Sequence, residues 1–194
     1  MMMTQKKSLS KKLKSNRDRS LVNQRHTLLN DKYRRDSASA WITDTAEVIG
    51  IDLKDPFRTT VLINDQMKVP FKIGVHKAVG GDHDFPNPGD LLCASLASCF
   101  ESTLRMISNK LGIELFETKI IATALVDVRG TLMIDKSVPV RFQSMQLQAL
   151  IIAKNTNKKL LNTLIKGTKH SCIVFQTISQ GIPIKLNTNL KIKN

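Results

Sequence analysis

The chain has 194 residues, 41% of them hydrophobic, with three cysteines and a formal net charge of +14. That length holds one core-forming domain plus an extension. Three cysteines are too few and too odd for a disulfide scaffold, so reduced thiols and a cytoplasmic location are expected. No apolar run approaches the roughly 18 residues that cross a bilayer, and the N-terminus lacks the apolar stretch of a secretory signal.

The charge is uneven. Residues 1–35 hold eleven Lys/Arg against Asp18 and Asp31, and so carry +9 of the +14. The composition of this stretch predicts a flexible basic extension over residues 1–38, attracted to polyanions without sequence preference. Globular patterning occupies residues 39–194.

Ala40–Ile51 reads as a first strand, Phe57–Ile63 as a second and Val69–Val75 as a third, with turns at Asp55-Pro56 and Asn64-Asp65-Gln66. Pro70 places the third toward an edge or a strand start. Together they predict an antiparallel meander. Gly80-Gly81-Asp82-His83-Asp84-Phe85-Pro86 is a loop.

Asn87 then caps a helix, with Pro88 at its first position and Asp90 where a capping-box acid belongs. It runs to Leu111, and Gly112 ends it. Its first half is apolar or small on every side, which predicts burial all round, and Ala94, Ser95, Ala97 and Ser98 keep it thin. Thr118–Val128 and Val140–Ala153 read as strands. Asn155–Lys166 reads as an amphipathic helix closed by Gly167, Cys172–Ile178 as a short helix, and Gly181 onward as a final strand. The order βββ-α-ββ-α-β describes an α+β domain.

The cysteines differ in context. Cys99 lies mid-helix, where the N-terminal dipole gives it little help; alone it reads as a small core hydrophobe sooner than as a nucleophile. Cys172 follows Lys169-His170-Ser171. Ser171 capping a short helix would bring exposed N–H groups to the Cys172 sulfur, so local sequence predicts that Cys172 is the more acidic thiol. Cys93 lies about 240° around the helix from Cys99 and reads as core. The four histidines show no ligand spacing, and His170, Cys172 and Cys99 make only a weak zinc set. No metal or cofactor is expected. Two separated thiols suit a redox pair, because a thiol that takes up oxygen needs a second to discharge it.

These segments resemble the OsmC/Ohr family of organic hydroperoxide reductases over roughly Trp41–Lys191. The resemblance is carried by Gly80-Gly81, by Pro86-Asn87-Pro88-Gly89-Asp90-Leu91-Leu92-Cys93-Ala94-Ser95-Leu96-Ala97-Ser98-Cys99, and by His170-Ser171-Cys172. It implies antiparallel sheets packed around a long central helix, and an intertwined homodimer with two interface sites. It also implies a thiol peroxidase in which Cys99 is the peroxidatic thiol and Cys172 resolves it, with an external dithiol as reductant. Gly89 stands where the hydroperoxidases carry Glu, with Asp90 next to it as a third candidate; Arg58 and Arg105 are candidates for an activating arginine, and Ile173 replaces a common Pro. A dry pocket lined by Leu96, Phe100 and Phe85 would favour organic hydroperoxides. The competing readings are an OsmC-like protein with structural or ligand-binding thiols and no turnover, and a nucleic-acid-associated module driven by the basic segment.

Overall fold

The computed structural model describes residues 20–50 and 52–192. Residues 1–19 of the expected flexible extension lie outside them. Within the rest of that extension, Leu21–Arg35 forms a helix, α1. Buried Ser20 caps it by accepting the Asn23 N–H. The Val22 N–H donates to Asn109 Oδ1 at 3.1 Å, and Lys110 Nζ lies 3.3 Å from His26 Nδ1. These contacts seat α1 on the C-terminal end of the central helix.

The meander forms as expected. β1 (Ala46–Val48), β2 (Arg58–Ile63) and β3 (Val69–Gly74) pair antiparallel in that order, with Val61 opposite both Val48 and Phe71. β1 is much shorter than Ala40–Ile51, and Ala40 belongs to a 3₁₀ turn over Ser37–Ala40. The Gly80-Gly81 loop has a steric reason. Gly80 takes φ +93°, and a Cβ on Gly81 would lie 2.1 Å from the Val75 carbonyl oxygen.

The central helix α2 spans Pro88–Leu111. Asn87 Oδ1 accepts from the Gly89 and Asp90 N–H groups, and the Asn87 N–H donates back to Asp90 Oδ2 at 2.9 Å. Gly112 ends the helix at φ +69°, in the left-handed conformation that glycine adopts cheaply. β4 (Glu114–Leu125) and β5 (Ser144–Lys154) form a second, two-stranded antiparallel sheet, with Ile120 opposite Ala149 and a bulge between Leu115 and Glu117. α3 (Lys158–Ser171) and α4 (Ile173–Gln180) follow.

Several boundaries differ from expectation: β4 starts at Glu114 rather than Thr118 and ends at Leu125 rather than Val128, β5 starts at Ser144 rather than Val140, and α4 ends at Gln180 rather than Ile178. Gly167 does not end α3, which continues to Ser171; it sits where a Cβ would meet Ile107 at 3.5 Å, so it lets α3 approach α2 closely. The helix begins at Lys158 rather than Asn155, with Asn157 as its cap, accepting the Leu160 N–H. Residues 181–192 pair with no strand of the described chain, although Ile182, Ile184, Leu186, Leu190 and Ile192 keep a strand-like alternation.

The core lies between α2, α3 and the β4–β5 sheet. Phe100, Leu104, Ile113, Leu164 and Cys172 are buried together, and Ile107, Ile120, Leu147, Ile151 and Leu160 pack against them. α2 is therefore covered along one face rather than all round. Ala94, Ser95 and Ser98 remain exposed.

Candidate active site

Cys99 and Cys172, 73 positions apart, meet where α2 passes the junction of α3 and α4. The Cys172 thiol donates to Cys99 Sγ at 3.3 Å. Both are free thiols. A disulfide needs the sulfurs at about 2.05 Å, so roughly 1 Å of side-chain adjustment separates this contact from a bond. Local sequence explains the approach. Cys172 ends α3 and begins α4, at φ −77° and ψ 108°, so the break between the helices drives its side chain into the core. Cys99 lies one residue before buried Phe100, at the edge of the same packed face.

The two sulfurs differ in access. Cys172 is 0% exposed, whereas Cys99 is partly exposed. Burial pushes the Cys172 thiol up, and the neighbouring Cys99 adds to that; the Phe175 and Val174 amides at the start of α4 pull it down. The expected acidity of Cys172 is thus overturned, because desolvation outweighs the helix N-terminus. Ser171 makes no cap for α4, and Lys169 lies over the Phe175 ring at 5.5 Å. Cys93 is raised by burial first and by Asp90 second.

A cleft of about 400 Å³ lies near the pair, with neither sulfur in its lining. Leu92 and Leu96 of α2, Phe142 in the loop before β5, Met145 and Leu147 of β5, and Phe175 and Ile178 of α4 form most of its wall. Leu96 lies one turn before Cys99, and Leu147 and Phe175 also pack against the cluster that holds both sulfurs. Of the three expected lining residues, Leu96 is here. Phe100 belongs to the core, and Phe85 lines a separate cavity of about 520 Å³ on the meander. Phe142, Met145 and Phe175 were not legible as lining, since nothing local marks a loop phenylalanine or a helix face as facing a cleft.

The polar candidates lie elsewhere. The Asp90 carboxylate is held by the Asn87 backbone and side-chain amides, as part of the helix cap. Arg58 Nε donates to Asp84 at 2.8 Å and Arg58 Nη1 to Asp55 at 3.0 Å, and Asp82 also pairs with it. The hydrogen bonds from Phe57 and Arg58 hold the Asp55 carboxyl below its ordinary value, and the one from Arg58 holds Asp84 down. Arg105 pairs with Glu101 one turn away on α2, and Glu101 also accepts the Thr118 hydroxyl. A side chain at Gly89 would meet Asn87 Oδ1 at 2.9 Å and the Phe142 ring at 3.1 Å, so Phe142 takes the space beside this backbone. Among the described residues no group of three or more His, Cys, Asp or Glu could hold a metal ion.

Comparison with known proteins places this geometry. No curated protein sequence matches the chain. Solved structures share its fold. An OsmC-like protein of unknown function from Vibrio cholerae superposes with a TM-score of 0.57 at 12% identity, covering 71% of this chain and 94% of that one. An OsmC-like protein from Mycoplasma pneumoniae gives 0.57 at 13%, covering 72% and 89%. An organic hydroperoxide resistance protein from Elizabethkingia anophelis gives 0.52 at 19%, covering 73% and 90%. The family model described as OsmC-like protein matches residues 81–187, more than half of the chain, which includes both meeting cysteines. The chain belongs to the OsmC-like protein family.

Proposed function

We propose that the protein is a thiol peroxidase that reduces organic hydroperoxides through Cys99 and Cys172. The observation that carries this reading is the 3.3 Å contact between two free thiols, one partly exposed and one buried, near an apolar cleft. Structural relatives named organic hydroperoxide resistance proteins supply the substrate class. Cys99 is the thiol a peroxide can reach. Its thiolate attacks one peroxide oxygen, the O–O bond breaks, and the departing alkoxide takes a proton and leaves as the alcohol. The resulting Cys99 sulfenic acid is attacked by Cys172; the S–O bond breaks, water leaves and a disulfide forms. An external dithiol returns both thiols by exchange, consistent with a cytoplasmic setting. The alkyl group would lie against Leu96, Met145 and Phe175.

The working unit in this reading is a homodimer. The outer face of the β4–β5 sheet exposes Phe116, Ile121, Leu125, Leu150 and Ile152, and the extended C-terminal segment has no partner strand among the described residues. The basic segment over residues 1–35 supports contact with polyanions.

Arg58, tied to three aspartates, favours a second reading in which the thiols do not turn over. One experiment separates the two. A stoichiometric alkyl hydroperoxide should remove two hydrogens, a loss of about 2 Da, and yield a Cys99–Cys172 peptide on mass mapping. Cys172→Ser should leave sulfenic acid at Cys99, and Cys93→Ser should change nothing. If both thiols stay reduced, the non-catalytic reading stands. If Cys172 alone is oxidised in Cys99→Ser at the wild-type rate, the roles are reversed.

A further inference from the structure

α1 carries an outward face that the thiol chemistry does not use. At about 100° per residue, Arg35, Leu28, Leu21, Lys32, Arg25 and Leu29 fall within one arc of roughly 120°. The residues that pack inward, Val22, His26 and Tyr33, lie on a different arc. Leu21 and Leu28 are 56% and 73% exposed, and the three cations among them are exposed as well. Beyond α1 the 3₁₀ turn packs back on the helix, and Trp41 and Ile42 then stand 86% and 75% exposed. Leucines interleaved with cations, beside an exposed indole, are what an interfacial helix presents to a lipid headgroup layer.

We propose that α1, with Trp41 and Ile42, docks on an anionic phospholipid surface. This rests on the polyanion contact of the basic segment and names its partner. The charge favours phosphate. α1 holds Arg25, Lys32, Arg34 and Arg35 against Asp31, and residues 1–19 hold seven more Lys/Arg against Asp18. Nucleic acid would use those charges equally, but it offers no apolar phase for Leu21, Leu28, Trp41 and Ile42. A bilayer uses both, with the cations at the phosphates and the apolar side chains at the acyl boundary.

Trp41 is the chain's one tryptophan, so its fluorescence reports this face directly. The full-length protein is mixed with vesicles of equal parts phosphatidylcholine and phosphatidylglycerol, with pure phosphatidylcholine vesicles, or with duplex DNA. The expected result is a blue shift of Trp41 on the anionic vesicles, quenching by lipids brominated on the acyl chain, and neither effect on the other two. Replacing Arg25, Lys32 and Arg35 together by Gln should weaken vesicle binding on the order of 100-fold. Leu21→Ser with Leu28→Ser should weaken it about tenfold or more at unchanged melting temperature. Binding to DNA and vesicles alike, with Trp41 emission unchanged, overturns the lipid assignment and leaves simple polyanion contact. Binding to neither removes both readings. A serine variant that lowers the oligomeric state shows instead that a second copy covers the face, and also overturns the proposal.

Discussion

At the scale of the residue, the site turns on a competition that Cys172 makes visible. The start of α4 and the cationic end of α3 would each stabilise a thiolate, and sequence alone points to that outcome. The fold buries the sulfur completely, and burial wins, so the thiol is held up rather than down. In the proposed reaction the roles follow from access: the partly exposed sulfur would meet the peroxide and the buried one would resolve it. The pH dependence of stability follows too. A thiol whose value is raised in the folded state gives its full stabilisation below the unfolded thiol value. That contribution is lost as pH rises from there through the higher folded value. The reduced protein should therefore lose stability on moving above the ordinary thiol value of 9.0, and Cys172→Ala should flatten that fall. Chemical denaturation at a series of alkaline pH values under reducing conditions measures it; an unchanged slope in the variant would show that Cys172 is not the group responsible. The pair itself was legible because both cysteines lie in marked contexts. Which one stays dry was not, because burial belongs to packing between α2, α3 and α4 rather than to any local run.

At the scale of the element, local chemistry that closes on itself was readable. The α2 boundaries follow from Asn87, Pro88 and Asp90 at one end and Gly112 at the other, since each satisfies a backbone need within a few residues. Asn87→Ala should therefore cost about 1 kcal/mol, read as a drop in melting temperature, and should loosen the segment next to the cleft wall at Leu92. Gly81→Ala should cost more, about 1–3 kcal/mol, because the new Cβ would meet the Val75 carbonyl oxygen at 2.1 Å and the backbone must move. Elements whose limits depend on distant partners were misread. Gly167 looks like a helix stop, yet it serves the approach of α3 to Ile107 of α2. The exposed Leu and Arg residues of α1 look like tail composition, yet Ser20, Val22 and His26 tie that helix to the end of α2.

At the scale of the whole molecule, one chain covers little of its own apolar surface. The buried hydrophobic residues among those described are Val61, Ile73, Leu96, Phe100, Leu104, Ile113, Leu164 and Cys172. Only two of them belong to the meander, while Val48, Ile63, Val69 and Phe71 there stay exposed. Small exposed side chains on α2 leave room for close approach, and the segment from Ile182 to Ile192 keeps a strand-like alternation while pairing with no strand among the described residues. A second copy answers all three needs at once, and a twofold arrangement makes each segment both donor and acceptor. Sedimentation at micromolar concentration should give twice the 21.7 kDa of the chain. Replacing Ile184 and Leu186 by Lys should shift the population toward monomer, since each charge would have to enter an apolar interface. The same variant should slow peroxide consumption if the cleft near Cys99 is completed by the second copy, and leave it unchanged if the cleft is whole within one chain. A wild-type protein that sediments as a single chain at every concentration would remove the dimer, and with it the explanation for the unpaired C-terminal segment.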